Sequence, residues 1–292
     1  MFVTDSAAAF QHLFVDTLRN MLSPHEAGAF ILVLANSMQD TELRNSLRRD
    51  LYANFKAVQK SVQQAALEVT EDDLAVFKAI ETTGVDSLSC WKLRKAGDWE
   101  LVYNPMRALR PARASNESVD RIERPFDDSR FNFNKPFLRP EILWQGNWQE
   151  SQLRVLYNKF PFAPYHLIIV PDAGLRLPQY LTADYHGMMW GLVEQQQLAL
   201  PGFAAGYNSL GACASVNQLH FQSFVRTELL PIESPRWKHN GGNDQYPMNC
   251  YAFNSLDDSC KQIDEYNHNK QPYNLIYRPG RCYVIPRRKQ GS

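Results

Sequence analysis

From Ser6 to Ile80 apolar residues recur at three- and four-residue spacing, as in Phe10, Phe14, Leu18 and Leu22, and glycine and proline are almost absent. Such a period gathers apolar side chains on one face of a helix, so this stretch is predicted to form three or four helices. Ser23-Pro24 before His25-Glu26, and Thr70-Glu71-Asp72-Asp73 before Leu74, have the composition of helix starts. In each, a hydroxyl can accept from the unpaired N–H groups of the first turn. Arg44, Arg48, Arg49, Asp50 and Lys56 read as a solvated helix face with no assigned role.

After Gly84 the texture changes to short aromatic and β-branched runs such as Trp99 to Tyr103, broken by Pro105, Pro111, Pro125, Pro136 and Pro140. Leu153 to Tyr157 and His166 to Val170, separated by a proline-bearing turn, predict two adjacent antiparallel strands. A helix from about Ala183 to Leu200 follows. Leu219 to Thr227 then alternates: Leu219, Phe221, Ser223 and Val225 fall on one face, and His220, Gln222 and Phe224 on the other. Gly241 to Asp244 reads as a flexible loop, and Tyr273 to Pro286 as a closing strand pair around Pro279-Gly280. The expected organisation is a helical region over residues 1–85 and a β-containing domain over 86–292.

Composition narrows the class. With 44% apolar and 21% charged residues, the chain can bury a core, which excludes disorder as its main state. Thirty-one basic residues balance thirty-one acidic ones. That balance argues against a protein that coats nucleic acid or a membrane and makes any phosphate-binding surface local. The five cysteines show no C-x-x-C spacing, the apolar run from Ala27 to Ala35 is far short of the ~20 residues a bilayer requires, and no basic-then-apolar leader opens the chain. The expectation is a cytoplasmic protein. Asp127-Asp128 without further ligands gives no metal site.

The segment Gly206-Tyr207-Asn208-Ser209-Leu210-Gly211-Ala212-Cys213-Ala214-Ser215-Val216-Asn217-Gln218-Leu219-His220-Phe221-Gln222 leads small and amide residues directly into a strand that carries an imidazole. Small residues let backbone N–H groups approach a phosphate, and serine and amide side chains add donors. Imidazole has an ordinary pKa near ~6.5, is largely neutral at pH 7 and can attack phosphorus without a second base.

This stretch resembles the histidine-triad superfamily signature, H-x-H-x-H in its hydrolases and H-x-H-x-Q in its transferases; here it reads Q-x-H-x-Q over Gln218, His220 and Gln222. Asn158 to Pro171 resembles the superfamily's N-x-x-P-x-x-x-x-H-x-L-x-x-P strand pair, with Ile168 at the leucine position. Phe131-Asn132-Phe133-Asn134-Lys135 is similar to the F-N-F-x-K segment of the phosphorylase branch, which includes GDP-hexose and diadenosine tetraphosphate phosphorylases. Leu177-Pro178-Gln179, Tyr207 to Gly211 and Pro272 to Leu275 extend the likeness to GDP-hexose phosphorylases, over roughly residues 90–286.

The resemblance implies an α+β fold, a histidine-triad-like antiparallel half-barrel sheet with flanking helices, preceded by the helical region. It implies His220 as the nucleophile, with Gln222 at the position associated with acceptors other than water. Gln218, where the family has histidine, is the departure. The expected substrate contacts are Asn132, Phe133 and Lys135, then Asn158 and Asn208, then Gly211, Ser215, Asn217 and Gln218; His166 is expected to be structural. The implied substrates are a nucleoside diphosphate sugar or dinucleoside polyphosphate with inorganic phosphate, without cofactor, and a homodimer is compatible. The alternatives are a hydrolase of the same superfamily and a catalytically silent nucleotide-binding protein.

Overall fold

The computed structural model describes residues 2–23, 25–64, 69–110 and 121–289. They form two compact units: Ala8–Arg113 with Leu156–Leu167, and Met1–Ala7 with Ala114–Val155 and Ile168–Ser292.

The first unit holds helices α1 (Ala7–Met21), α2 (Ala27–Ser37), α3 (Thr41–Gln63) and α4 (Glu71–Thr83). Helix α1 buries Phe10, Phe14 and Leu18, the face its spacing predicts. Helix α2 is apolar on every side, as a helix must be when protein surrounds it. The rings of Phe30, Phe55 and Phe77 meet at 5.4 to 5.7 Å and join α2, α3 and α4.

Thr70 caps α4 as predicted, its hydroxyl accepting from Asp73 N at 3.2 Å. The cap expected at Ser23-Pro24 differs. Ser23 N donates to Asn20 O and closes the turn that ends α1, so α2 starts at Ala27 behind Glu26 without a side-chain cap; Pro24 lies outside the described residues. Arg44, expected in solvent, is half-buried and donates to Val85 O at 3.2 Å. Strands β1 (Lys92–Ala96) and β2 (Trp99–Tyr103) pair with each other as a separate two-stranded sheet rather than joining the main one. The short helix α5 (Pro105–Ala108) follows.

The second unit is built on an eight-stranded sheet of β3 (Ile142–Trp148), β4 (Ser151–Tyr157), β5 (Leu167–Pro171), β6 (Phe203–Asn208), β7 (Phe221–Val225), β8 (Tyr251–Phe253), β9 (Tyr273–Arg278) and β10 (Arg281–Pro286). Their order is β3-β4-β5-β7-β6-β9-β10-β8, and the run from β7 to β8 is antiparallel at every step. Bonds from Asn158 N to His166 O and from Asp172 N to Gln152 O bracket β4 and β5, the adjacent antiparallel pair the sequence predicts. Helices α6 (Ala183–Ala199) and α7 (Leu256–His268) complete the expected α+β class.

Tyr273, Leu275 and Tyr277 point inward along β9 by simple alternation. One polar cluster sits within that core. His186 of α6 bonds through Nδ1 to the Tyr277 hydroxyl and through Nε2 to Ser259 Oγ of α7, both at 2.8 Å. The loop at 241–244, expected to be flexible, is fastened by Gly242 N to Trp237 O, Asp244 N to Arg236 O and an Arg236–Asp244 ion pair at 2.8 Å.

The turn entering β6 makes a sharp demand on its residue type. Gly202 has φ +87°, and a Cβ there would stand 2.5 Å from the Arg226 carbonyl carbon and 2.7 Å from Thr227 N. A side chain would meet both a strained backbone and fixed main-chain atoms. Gly202→Ala is expected to cost about 2 kcal/mol or more, read as a lower urea midpoint at unchanged slope. An unchanged midpoint would show that the turn yields.

Candidate active site

β6 ends at Asn208, and the chain turns back through Ser209 to Ala212, closed by Ala212 N donating to Ser209 O at 3.0 Å. Gly211 stands third in this turn at φ +78°, the conformation that favours glycine at that position of a type II turn. The chain then passes exposed Ser215 and returns to β7 through Gln218, Leu219 and His220. Of the amides expected to cradle a phosphate between Gly211 and Ser215, that of Ala212 is thus already engaged.

His220 precedes β7 directly and is 6% exposed. Its Nδ1 lies 2.7 Å from Gln218 O. A carbonyl can only accept, so Nδ1 carries the proton and Nε2 holds the lone pair. Burial pushes the imidazole pKa down from 6.5 to about 4, against a smaller upward pull from the Gln218 carbonyl. The ring is therefore neutral at pH 7, in one tautomer, with its unprotonated nitrogen on the side away from that hydrogen bond. The Phe133 ring packs against it at 5.0 Å.

Gln218 is 1% exposed. Its Oε1 accepts from Phe133 N at 2.7 Å, which fixes the amide orientation because a main-chain N–H can only donate. Its Nε2 is buried without a partner. An orphaned buried donor costs on the order of 1–3 kcal/mol, which an incoming acceptor would recover.

Other amides on which substrate contacts were expected are committed within the protein. Asn217 accepts from Gln179 N and donates to Arg124 O and Pro125 O. Asn132 accepts from Asn134 N and donates to Arg130 O, closing a turn over Arg130 to Asn134. Asn208 Oδ1 accepts from Asn274 Nδ2 at 2.6 Å. Lys135 donates to Asp128 O at 2.7 Å. Phe133 is held from behind by Arg154, which donates to its carbonyl at 2.9 Å. Gln222 lies on β7 opposite Gly206 and is half-buried.

Asn158 belongs to the helical unit, where its Oδ1 accepts from Phe160 N and its carbonyl accepts from buried Asn36. Lys159, next to it, is paired with Asp73 at 2.6 Å. His166 is buried, accepts from Phe162 N and packs on the Phe162 ring at 4.2 Å, a structural setting as expected.

One residue absent from the expected site is bound to it most closely. Gln179 is completely buried, and its side chain bonds to the main chains of both His220 and Asn208. Among the described residues, no group of three or more His, Cys, Asp or Glu is placed to hold a metal ion, and no helix is long and apolar enough to cross a membrane. A cavity of about 340 Å³ opens at the β9–β10 turn between Glu233, Arg278 and Arg281, lined by none of the His220 neighbourhood.

Residues 96–224, which include His220, match the family model described as "GDPGP1-like, N-terminal domain". The chain is 33% identical over 242 residues to GDP-D-glucose phosphorylase 1 of Macaca fascicularis, covering 73% of this chain and 60% of that protein. It is 34% identical over 127 residues to the Homo sapiens protein of the same name, covering 40% and 32%, and 31% identical over 134 residues to GDP-L-galactose phosphorylase 2 of Arabidopsis thaliana, covering 39% and 30%. The matched parts span less than two thirds of these relatives' lengths. The crystal structure of yeast Ap4A phosphorylase Apa2 in complex with Ap4A aligns with a TM-score of 0.45 at 13% identity, over 76% of this chain and 83% of that one. The stretch carrying the imidazole is thus similar to a GDPGP1-like N-terminal domain. The chain is similar in sequence to the GDP-hexose phosphorylases, the branch its motifs resemble.

Proposed function

We propose that this protein is a nucleotidyltransferase that phosphorolyses a nucleoside diphosphate sugar through a covalent nucleotidyl-histidine, with GDP-hexoses the favoured substrates. The observation that carries this reading is the His220 imidazole: a proton held on Nδ1 by Gln218 O, and a free lone pair on Nε2. The homologues' names supply the substrate class.

In the first step the Nε2 lone pair forms a bond to the α-phosphorus, and the bond from that phosphorus to the bridging oxygen breaks. The hexose 1-phosphate leaves with the bond's electron pair. Nδ1 keeps its proton throughout, so the cationic nucleotidyl-imidazole retains the hydrogen bond to Gln218 O. In the second step an oxygen of inorganic phosphate attacks the same phosphorus, the P–N bond breaks, and the nucleoside diphosphate leaves neutral His220 behind. The orphaned Gln218 Nε2 is the donor for a non-bridging phosphoryl oxygen, and Gln222 shares that work. Asn132, Asn158, Asn208 and Asn217 act in this reading by shaping their surroundings.

Brief incubation with GDP-glucose, followed by intact mass, is expected to show a GMP-sized adduct that disappears on adding phosphate as GDP forms. An adduct that decays equally fast in water would instead mark a hydrolase. Tight GDP-glucose binding with neither adduct nor turnover would mark a silent binding protein, and either result overturns the proposal.

A further inference from the structure

The β6–β7 ladder pairs Gly206 with Gln222, a register that places Asn208 opposite His220. That rung is never made between the two main chains: β6 continues to Asn208, while β7 begins at Phe221. The Gln179 side chain occupies it instead. Its Nε2 donates to Asn208 O at 2.8 Å and to His220 O at 3.2 Å, and its Oε1 accepts from His220 N at 2.9 Å. A planar amide thus offers His220 both the donor and the acceptor of a strand neighbour, one side-chain width away from β6. The Gln179 main chain is fixed in turn, its N–H on Asn217 Oδ1 at 3.1 Å and its carbonyl under the Tyr207 hydroxyl at 3.2 Å.

We infer that Gln179 is the positioning residue of the nucleophile: a side-chain rung that opens the β6–β7 ladder at His220 and sets the orientation of its imidazole. The inference rests on the assignment of His220 in the proposed function. The chemistry restricts the residue type. A glutamate of the same shape loses the donor and sets a carboxylate against two carbonyls, and a methionine loses donor and acceptor together. Either change leaves the His220 backbone unsatisfied in the interior and lets the ring turn.

The test compares wild type with Gln179→Glu and Gln179→Met, each confirmed as folded by circular dichroism at the assay temperature. Single-turnover adduct formation from GDP-glucose is measured together with the ¹⁵N signals of the His220 ring, assigned by their loss in His220→Asn. Both variants are expected to form the adduct about 100-fold more slowly with KM nearly unchanged, the scale of loss that a misplaced reacting group brings. Their spectra are expected to lose the single Nδ1–H tautomer. Tyr207→Phe, which removes only the hydroxyl over the Gln179 carbonyl, tests the same link with the amide intact, and about a threefold slowing is expected.

Folded Gln179 variants with the wild-type rate and tautomer would overturn the inference, as would losses that merely follow the folded fraction. If neither Gln179 variant folds, an unchanged rate in Tyr207→Phe overturns it. A wild-type protein that forms no adduct refutes the nucleophile assignment itself, and the positioning role falls with it.

Discussion

His220→Asn is expected to abolish the nucleotidyl adduct and to lower turnover by about 10⁴-fold or more, the scale seen when a covalent nucleophile is removed. Asparagine suits the test because its Nδ2 can still donate to Gln218 O, the bond that anchors the imidazole at 2.7 Å. The variant should therefore keep its fold while losing the lone pair that attacks phosphorus. In the wild type, the pH dependence follows from the burial that lowers the His220 pKa to about 4. The neutral ring is the reactive form, so adduct formation should stay flat from pH 8 down to about 5 and fall only as pH nears 4. A break near ~6.5, the ordinary histidine value, would refute the buried-imidazole account. Adduct formed by the variant would refute the nucleophile.

The elements that were legible in the sequence are those whose evidence is local. The spacing of Phe10, Phe14 and Leu18 and the capping hydroxyl of Thr70 each express a preference of a few neighbouring residues, and the structure has the corresponding helices. The β9–β10 pair is readable for the same reason, because alternation and Pro279-Gly280 lie within one hairpin. Where the reading failed, a competing local use of the same residue prevailed. Ser23 closes the turn after α1 instead of capping α2.

The site was legible in its motif and not in its wiring. His220, Gln218 and Phe133 come together because the Q-x-H-x-Q run and the aromatic segment are bound by one long-range bond, from Phe133 N to Gln218 Oε1. An asparagine in a glycine-rich stretch offers the same donors and acceptor whether it faces substrate or protein. Only the fold decides that Asn217 clamps Arg124 and Pro125. Gln179 shows the limit most clearly. It was visible as part of Leu177-Pro178-Gln179, yet its partner His220 is 41 residues further along the chain, and no spacing rule reaches that far. The pairing of Lys159 with Asp73 likewise spans 86 residues of chain.

Acid should unfold this protein through its buried histidines as well as silence it. His186, wholly buried, is held by burial down from 6.5 to about 4, as His220 is. Its hydrogen bonds fit the neutral ring. Ser259 Oγ donates to Leu256 O and so accepts from His186 Nε2, which leaves Nδ1 to accept from the Tyr277 hydroxyl. For a histidine with a depressed folded pKa, the unfolded chain binds the proton first. Stability is therefore fully present above about pH 6.5 and drains away as pH falls toward 4, by about 3 kcal/mol for each of the two rings. His186→Gln isolates one of them, since its amide can accept from Tyr277 and donate to Ser259 without titrating. Urea unfolding at pH 7 and pH 5 should show wild type losing about 2 kcal/mol more than the variant over that interval. Equal losses in the two proteins would mean that the His186 ring already accepts its proton in the folded state, and would refute the account of its burial.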